Sequence, residues 1–299
     1  MSVTATAPSG LAAPVAPDPA PRRRRRRTRH VWANVIAVVF SIVWIFPVYW
    51  MVNTAFKPRP EVMTPTPQFL PVHPTFQNFV VAVTQTSFLQ NLLNSVIVVA
   101  GAVVFALALS LFAAAALSRF RFRGRRRIMV VILAVQMLPG TALLIPQFLI
   151  FNNLGLLNSY VGLILAYVAA VLPFSIWTLR GFFVTIPVEV EEAAMVDGAG
   201  TWRILRSILF PLVVPGLIST SIFGFITAWN EYILAYTFMK DQAMYTLPIW
   251  LVSFSSPVTG TDYGGQMAAS VLFALPVVVF FLIIQRHLVA GMSAGAVKG

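Results

Sequence analysis

Six stretches of this chain stay apolar for about as long as a helix needs to cross the hydrocarbon core of a bilayer, roughly 20 residues. They run approximately over 31–52, 92–117, 128–151, 160–179, 212–238 and 267–287. No other feature constrains the fold as much. A backbone in lipid has no water to bond, so each such segment must satisfy its own N–H and C=O groups as a helix. The expected fold class is therefore an all-α membrane protein with six transmembrane helices. With 58% hydrophobic and 10% charged residues and a mean hydropathy of +0.82, the chain is far from an ordinary soluble domain. The first segment is too long and too aromatic for a signal-peptide core, and no small-residue cleavage site follows it, so it reads as an anchor.

The arginines set the orientation. Arg22 to Arg27 and Arg29 precede the first span, and Arg119, Arg121, Arg123, Arg125, Arg126 and Arg127 separate the second from the third. Arg180, Arg203 and Arg206 lie after the fourth, while Arg286 and Lys298 lie at the end of the sixth and beyond it. The alternate loops hold only Lys57, Arg59 and Lys240. Positive charge stays inside, so both termini and the loop at 187–211 are expected to be cytoplasmic. The net charge of +12 thus reflects topology. No folded reader or interleaved aromatics accompany the basic run, so nucleic acid is not an expected partner.

Residues 1–30 read as a disordered basic terminus, rich in Ala, Pro, Ser and Thr up to Pro21. Its arginine run holds the terminus inside; contact with anionic membrane lipid, on the order of 1 kcal/mol per residue, is the other use of such a run. After the first helix (31–52), an outer segment (53–91) is punctuated by Pro58, Pro60, Pro65, Pro67, Pro71 and Pro74 and turns amphipathic from Phe76. An interfacial helix is expected near 75–88. The main transmembrane domain covers 88–287, and 288–299 forms a tail.

Catalytic signatures are missing from the sequence. There is no Gly-x-x-x-x-Gly-Lys-Ser/Thr, and none of Lys57, Lys240 and Lys298 follows a glycine, so no phosphate-cradling loop exists. His30, His73 and His287 are far apart in sequence and there is no cysteine, which removes thiolate chemistry and disulfides. No catalytic residues, no metal site and no cofactor of its own are expected. If ATP drives this chain, the nucleotide chemistry sits on a partner.

Inside the spans, polar groups are few. Pro139-Gly140 and Pro146 interrupt the third span and Pro173 the fourth. Gln136 lies on the third. Glu231, beside Asn230, is the only acidic residue within a predicted span; Trp229, Tyr232 and Tyr236 around it fit an aromatic belt at the outer boundary. Gln136, Asn230 and Glu231 are the candidates for a substrate path or gate, against the plainer roles of an interhelical hydrogen bond and a solvated interfacial carboxylate.

Between the fourth and fifth spans lies a polar island. Pro187 can open a helix, and Glu189, Glu191 and Glu192 suit its positive N-terminal end. Ala193 and Ala194 keep one side small. Gly198 can take the positive φ that ends a helix, and a second short helix runs to Phe210 before Pro211. The same propensities also describe a plain capped loop helix. The order Glu192-Ala193-Ala194, Gly198, Ile208, Pro211 resembles the EAA loop of binding-protein-dependent ABC importer permeases, with Phe210 where the family pattern has leucine. The C-terminal run from Gln285 to Gly291 and on through Gly295 to Gly299 resembles the end of the second permease subunit of the maltose transporter and its carbohydrate-importing relatives.

That resemblance implies a type I importer permease fold in the bacterial cytoplasmic membrane. It implies a non-catalytic subunit that moves a sugar with a second homologous permease, two cytoplasmic ATPase subunits that bind ATP and magnesium, and an external solute-binding protein. Glu191, Glu192, Ala193, Ala194, Asp197, Gly198, Ile208 and Pro211 would form the ATPase-coupling surface. The alternative is a secondary transporter driven by an ion gradient, which would more often show internal repeats and intramembrane ionisable groups.

Overall fold

The computed structural model describes residues 23–84, 87–256 and 260–295, with side chains described over 31–84, 87–254 and 262–286. Its described helices are α1 (Arg23–Ala55), α2 (Arg59–Val62), α3 (Gln77–Thr84), α4 (Phe88–Arg119), α5 (Arg125–Gln136), α6 (Gly140–Asn153), α7 (Tyr160–Thr185), α8 (Glu189–Val196), α9 (Thr201–Ile204), α10 (Phe210–Trp229), α11 (Ile233–Phe238), α12 (Leu247–Val252) and α13 (Tyr263–Gly295). The only described strands, β1 (Ser255–Ser256) and β2 (Gly260–Thr261), make a two-residue antiparallel ladder. The part of α1 up to Tyr49 forms one compact unit, and everything from Trp50 a second.

Among the described residues five helices are long and apolar enough to cross a membrane: Val31–Ala55, Phe88–Arg119, Tyr160–Thr185, Thr201–Trp229 and Tyr263–Arg286. The expected third span is not one straight helix. α5 and α6 meet at 102°, and the pair makes a sixth span only if a broken helix crosses. Pro139 explains the break: it supplies no N–H to the ladder, and it pushes Leu138 before it away from helical geometry. The expected fifth span also ends early, at Trp229 instead of Phe238. There the Glu231 carboxylate accepts from the N–H groups of Leu234 (2.9 Å) and Ala235 (3.0 Å), which starts a new short helix.

Other boundaries shift less. α1 begins at Arg23, inside the stretch read as disordered, since arginine is a good helix former; residues 1–22 lie outside the described part. The interfacial helix is described over Gln77–Thr84, and residues 85–86 lie outside the described part. The backbone of α13 runs through to Gly295, into the expected tail, whose last residues, including Lys298, lie outside the described part.

Inside a bilayer, apolar side chains gain nothing by leaving lipid for one another, so helices associate through close packing and polar contacts. α4 and α7 pack along their length, and α10 lies against both. Ala102 and Ala106 on α4 and Ala166 on α7 are buried in this contact beside Leu163, Tyr167 and Val171. On α10 the small residue at 216 matters most: a β-carbon there would stand 2.6 Å from the ring of Phe182. The outward sides of α4 and α13 stay apolar and exposed, as lipid or partner helices require.

Polar knots fix the end of the bundle away from α8. Buried Asn94 donates to the carbonyls of Ala243 and Tyr245, both at 2.8 Å, and its Oδ1 accepts from the Tyr160 hydroxyl at 2.7 Å. Asn158, at φ 53°, accepts from the N–H groups of Lys240 and Asp241. In the segment after Trp50, Asn78 closes the end of α1 by donating to the carbonyls of Ala55 and Lys57. The ammonium of buried Lys57 donates to the Gln68 carbonyl and sits 5.0 Å from the Trp50 ring centroid. Glu61 takes bonds from the His73 ring and from the N–H groups of Val72 and His73. Desolvation opposes ionisation there, yet these bonds hold the carboxyl below its usual range.

Candidate functional site

The polar island builds a defined surface at the end of α4 and α7. α8 closes with the two bonds of a Schellman motif: Ala199 N–H donates to the Ala194 carbonyl (2.9 Å) and Gly198 N–H to that of Met195 (3.0 Å). The residue between them must be left-handed, and Gly198 has φ 79°. No atom lies within 4 Å of where its β-carbon would be, so backbone conformation and not crowding demands glycine in this chain. A π turn over Leu205–Leu209 then joins α9 to α10, with the Phe210 N–H reaching back to the Leu205 carbonyl. Pro211, which has no N–H to offer Ser207, adjoins this shift in the ladder.

The island is anchored from beneath. Ala194, Ile204 and Leu209 are buried with Ala114 and Ala115 of α4 and Leu179 and Phe183 of α7. Phe112 of α4 stacks on Trp202 at 6.3 Å between centroids and meets Phe210 edge-on at 5.5 Å. Beneath α8, Arg119 contacts Glu191 at 2.5 Å, with both side chains about nine-tenths buried. The Arg119 Nε–H does not point at the carboxylate, so the contact is an ion pair without a hydrogen bond between those atoms. A terminal guanidinium nitrogen donates to the Ile186 carbonyl at 3.0 Å.

The sequence candidates therefore divide. Glu191 is turned inward and braces α8 against Arg119, apart from the exposed residues of the outer face. Its partner lies 72 positions earlier (191 − 119), and nothing in the loop's own pattern points to it. Ala194 is buried and Ile208 half-buried. Glu192, Ala193, Asp197, Gly198 and Pro211 are exposed. Beside them Val196 is 88% and Met195 57% exposed, so the outer face of α8 combines apolar side chains with the carboxylates of Glu189 and Glu192.

A second feature lies in the elbow of α5 and α6. A cavity of about 720 Å³ is lined there by Gln136, Thr141, Gln147, Pro173, Phe174 and Glu231 among others. Two of the three path candidates, Gln136 and Glu231, thus meet in one cavity. Asn230 does not line it: it is exposed and donates to the Ile226 carbonyl of its own helix. Glu231 uses its two oxygens to cap α11, leaving lone pairs from a carboxylate's usual capacity of about four. Thr141 and Gln147 are not legible in the sequence, because isolated uncharged polar residues within an apolar run carry no pattern of their own. Among the described residues no group of three or more His, Asp or Glu could hold a metal ion.

Long apolar helices, a largely apolar cavity that carries four polar side chains, and a small helical platform at one end are features that a membrane transport subunit needs. Comparison with known proteins makes this specific. The family model for the binding-protein-dependent transport system inner membrane component matches residues 106–294. The chain is 46% identical over 269 residues to the diacetylchitobiose uptake system permease protein DasC of Streptomyces coelicolor, covering 90% of this chain and 97% of that one. It is 34% identical to the trehalose/maltose transport system permease protein MalG of Thermococcus litoralis, covering 88% and 95%. A bacterial ABC transporter involved in the import of the acidic polysaccharide alginate shares the fold, with a TM-score of 0.77 at 24% identity over 88% of this chain and 97% of that one. The chain belongs to the family of binding-protein-dependent transport system inner membrane components, the permeases of ABC transporters.

Proposed function

We propose that this chain is a permease subunit of an ATP-driven importer of oligosaccharides or disaccharides, driven by separate ATPase subunits that grip the α8–α9 platform. Kinship with permeases named for diacetylchitobiose and for trehalose and maltose supports the substrate class. The observation that carries the coupling role is the outer face of α8. Its exposed apolar residues sit on a rigid, capped turn that is braced by a buried ion pair to α4, so a push on α8 reaches the long helices directly. The platform would work by rigid-body transmission, with no chemistry in this chain. Nothing in the site favours an ion-gradient mechanism: Glu231 caps a helix instead of standing alone within a span.

In this reading both termini and α8 face the cytoplasm, a second permease pairs with this one, and an external binding protein delivers the sugar. ATP and magnesium stay on the ATPase subunits. The cavity in the α5–α6 elbow would line the path, with Gln136, Thr141 and Gln147 offering hydrogen bonds to hydroxyl groups. The test is reconstitution in lipid vesicles. The chain alone should hydrolyse no ATP, and the full assembly should accumulate labelled diacetylchitobiose, trehalose or maltose only with ATP and binding protein present. ATP hydrolysis by the purified chain, or uptake driven by an ion gradient without ATPase subunits, would refute the proposal.

A further inference from the structure

The turn between α4 and α5 passes through Gly124, at φ 94°, and brings a row of arginines to the same end of the bundle as α8. A groove of about 1230 Å³ opens there, with Arg123, Arg125, Arg126, Arg127 and Arg180 in its lining. No carboxylate lines it, and Glu191, the acidic residue bonded at this end, is already committed to Arg119. Arg180 is fixed at the groove wall, since its Nε donates to the Leu117 carbonyl at 3.3 Å. The first turn of the 12-residue α5 adds its own positive end.

The rest of the lining has another chemistry. Met129, Val130 and Leu133 on α5 and Trp177 on α7 continue the groove away from the arginines. At about 1.5 Å per residue, these α5 positions lie roughly 6–12 Å along the axis from Arg125. One end of the groove is strongly cationic and the other is an apolar strip on helices of the membrane domain. A free phosphate would use only the first part, and a soluble nucleotide has no acyl chain for the second.

We propose that this groove binds an anionic phospholipid, with the phosphate among the guanidinium groups and an acyl chain along Met129, Val130 and Trp177. Basic pockets between membrane helices on the cytoplasmic side suit such headgroups. The site rests on the reading that this end of the bundle meets the inner leaflet. It lies beside the platform, so a bound lipid would fix the α4–α5 turn next to the Arg119 that braces α8.

The full chain, purified in a mild detergent, is titrated with phosphatidylglycerol, phosphatidylcholine and inorganic phosphate, and bound species are counted by native mass spectrometry. Phosphatidylglycerol should be retained about tenfold or more over phosphatidylcholine, and excess inorganic phosphate should not displace it. Arg123→Gln with Arg126→Gln should bring retention down to the phosphatidylcholine level. Arg123→Lys with Arg126→Lys should restore most of it, which separates lost charge from lost folding. Equal retention of both lipids, displacement by inorganic phosphate, full retention by the glutamine variant, or no recovery in the lysine variant would each overturn the proposal. The assay needs neither ATPase nor sugar, so its outcome is separable from that of the uptake experiment.

Discussion

At the scale of single residues, two positions carry the platform. Gly198 ends α8 in a left-handed conformation that costs an ordinary residue about 1–2 kcal/mol. Gly198→Leu should insert normally yet abolish uptake, because the strained turn tilts α9 and the new side chain stands in open space where a partner would approach. Gly198→Asn separates the two effects, since asparagine tolerates this backbone. Its turn should survive, as read by unchanged thermal stability, while uptake still falls. The second position is the Arg119–Glu191 pair. Removing one member leaves a buried charge without its partner, so Arg119→Ala should destabilise the subunit by about 3–5 kcal/mol. Arg119→Ala combined with Glu191→Ala should cost clearly less than the sum of the two single changes, measured as a double-mutant cycle of unfolding. Additive losses would mean that the contact does not hold α8 to α4.

At the scale of elements, the sequence made the long helices plain and obscured where they break. Apolar runs locate the starts of α4, α7 and α13 to within a few residues because lipid leaves a backbone no alternative to the helix. Pro139-Gly140 flagged an interruption, yet a proline signals only a lost bond, not the 102° turn that neighbouring helices select. The burial of Glu191 was illegible for a related reason: a glutamate in the first turn of a helix looks the same whether it faces water or a distant arginine. Gly198 was legible because its role is local. The break at Glu231 yields its own expectation. Glu231→Ala should cost about 1 kcal/mol through loss of the α11 cap and should loosen the wall of the elbow cavity. Glu231→Gln, which keeps one acceptor for the same N–H groups, should cost less. Equal unfolding midpoints for wild type and Glu231→Ala would contradict the capping role.

At the scale of the whole molecule, the account requires that the platform and the Asn158–Asp241 knot lie on opposite sides of the membrane. α7 links these two ends, and its 26 residues span about 39 Å. The native chain contains no cysteine, so introduced ones are read without background. In intact cells a membrane-impermeant thiol reagent should label Asp241→Cys and spare Asp197→Cys, both of which are exposed positions. The reverse pattern would invert the orientation read from the arginines. If α8 is where an ATPase takes hold, cross-linking from its outer face will report the contact. In the assembled transporter, Ala193→Cys should form a short cross-link to the ATPase subunit, and Asp241→Cys should form none. A platform that yields no ATPase cross-link from Ala193→Cys, in an assembly that still imports sugar, would contradict the account.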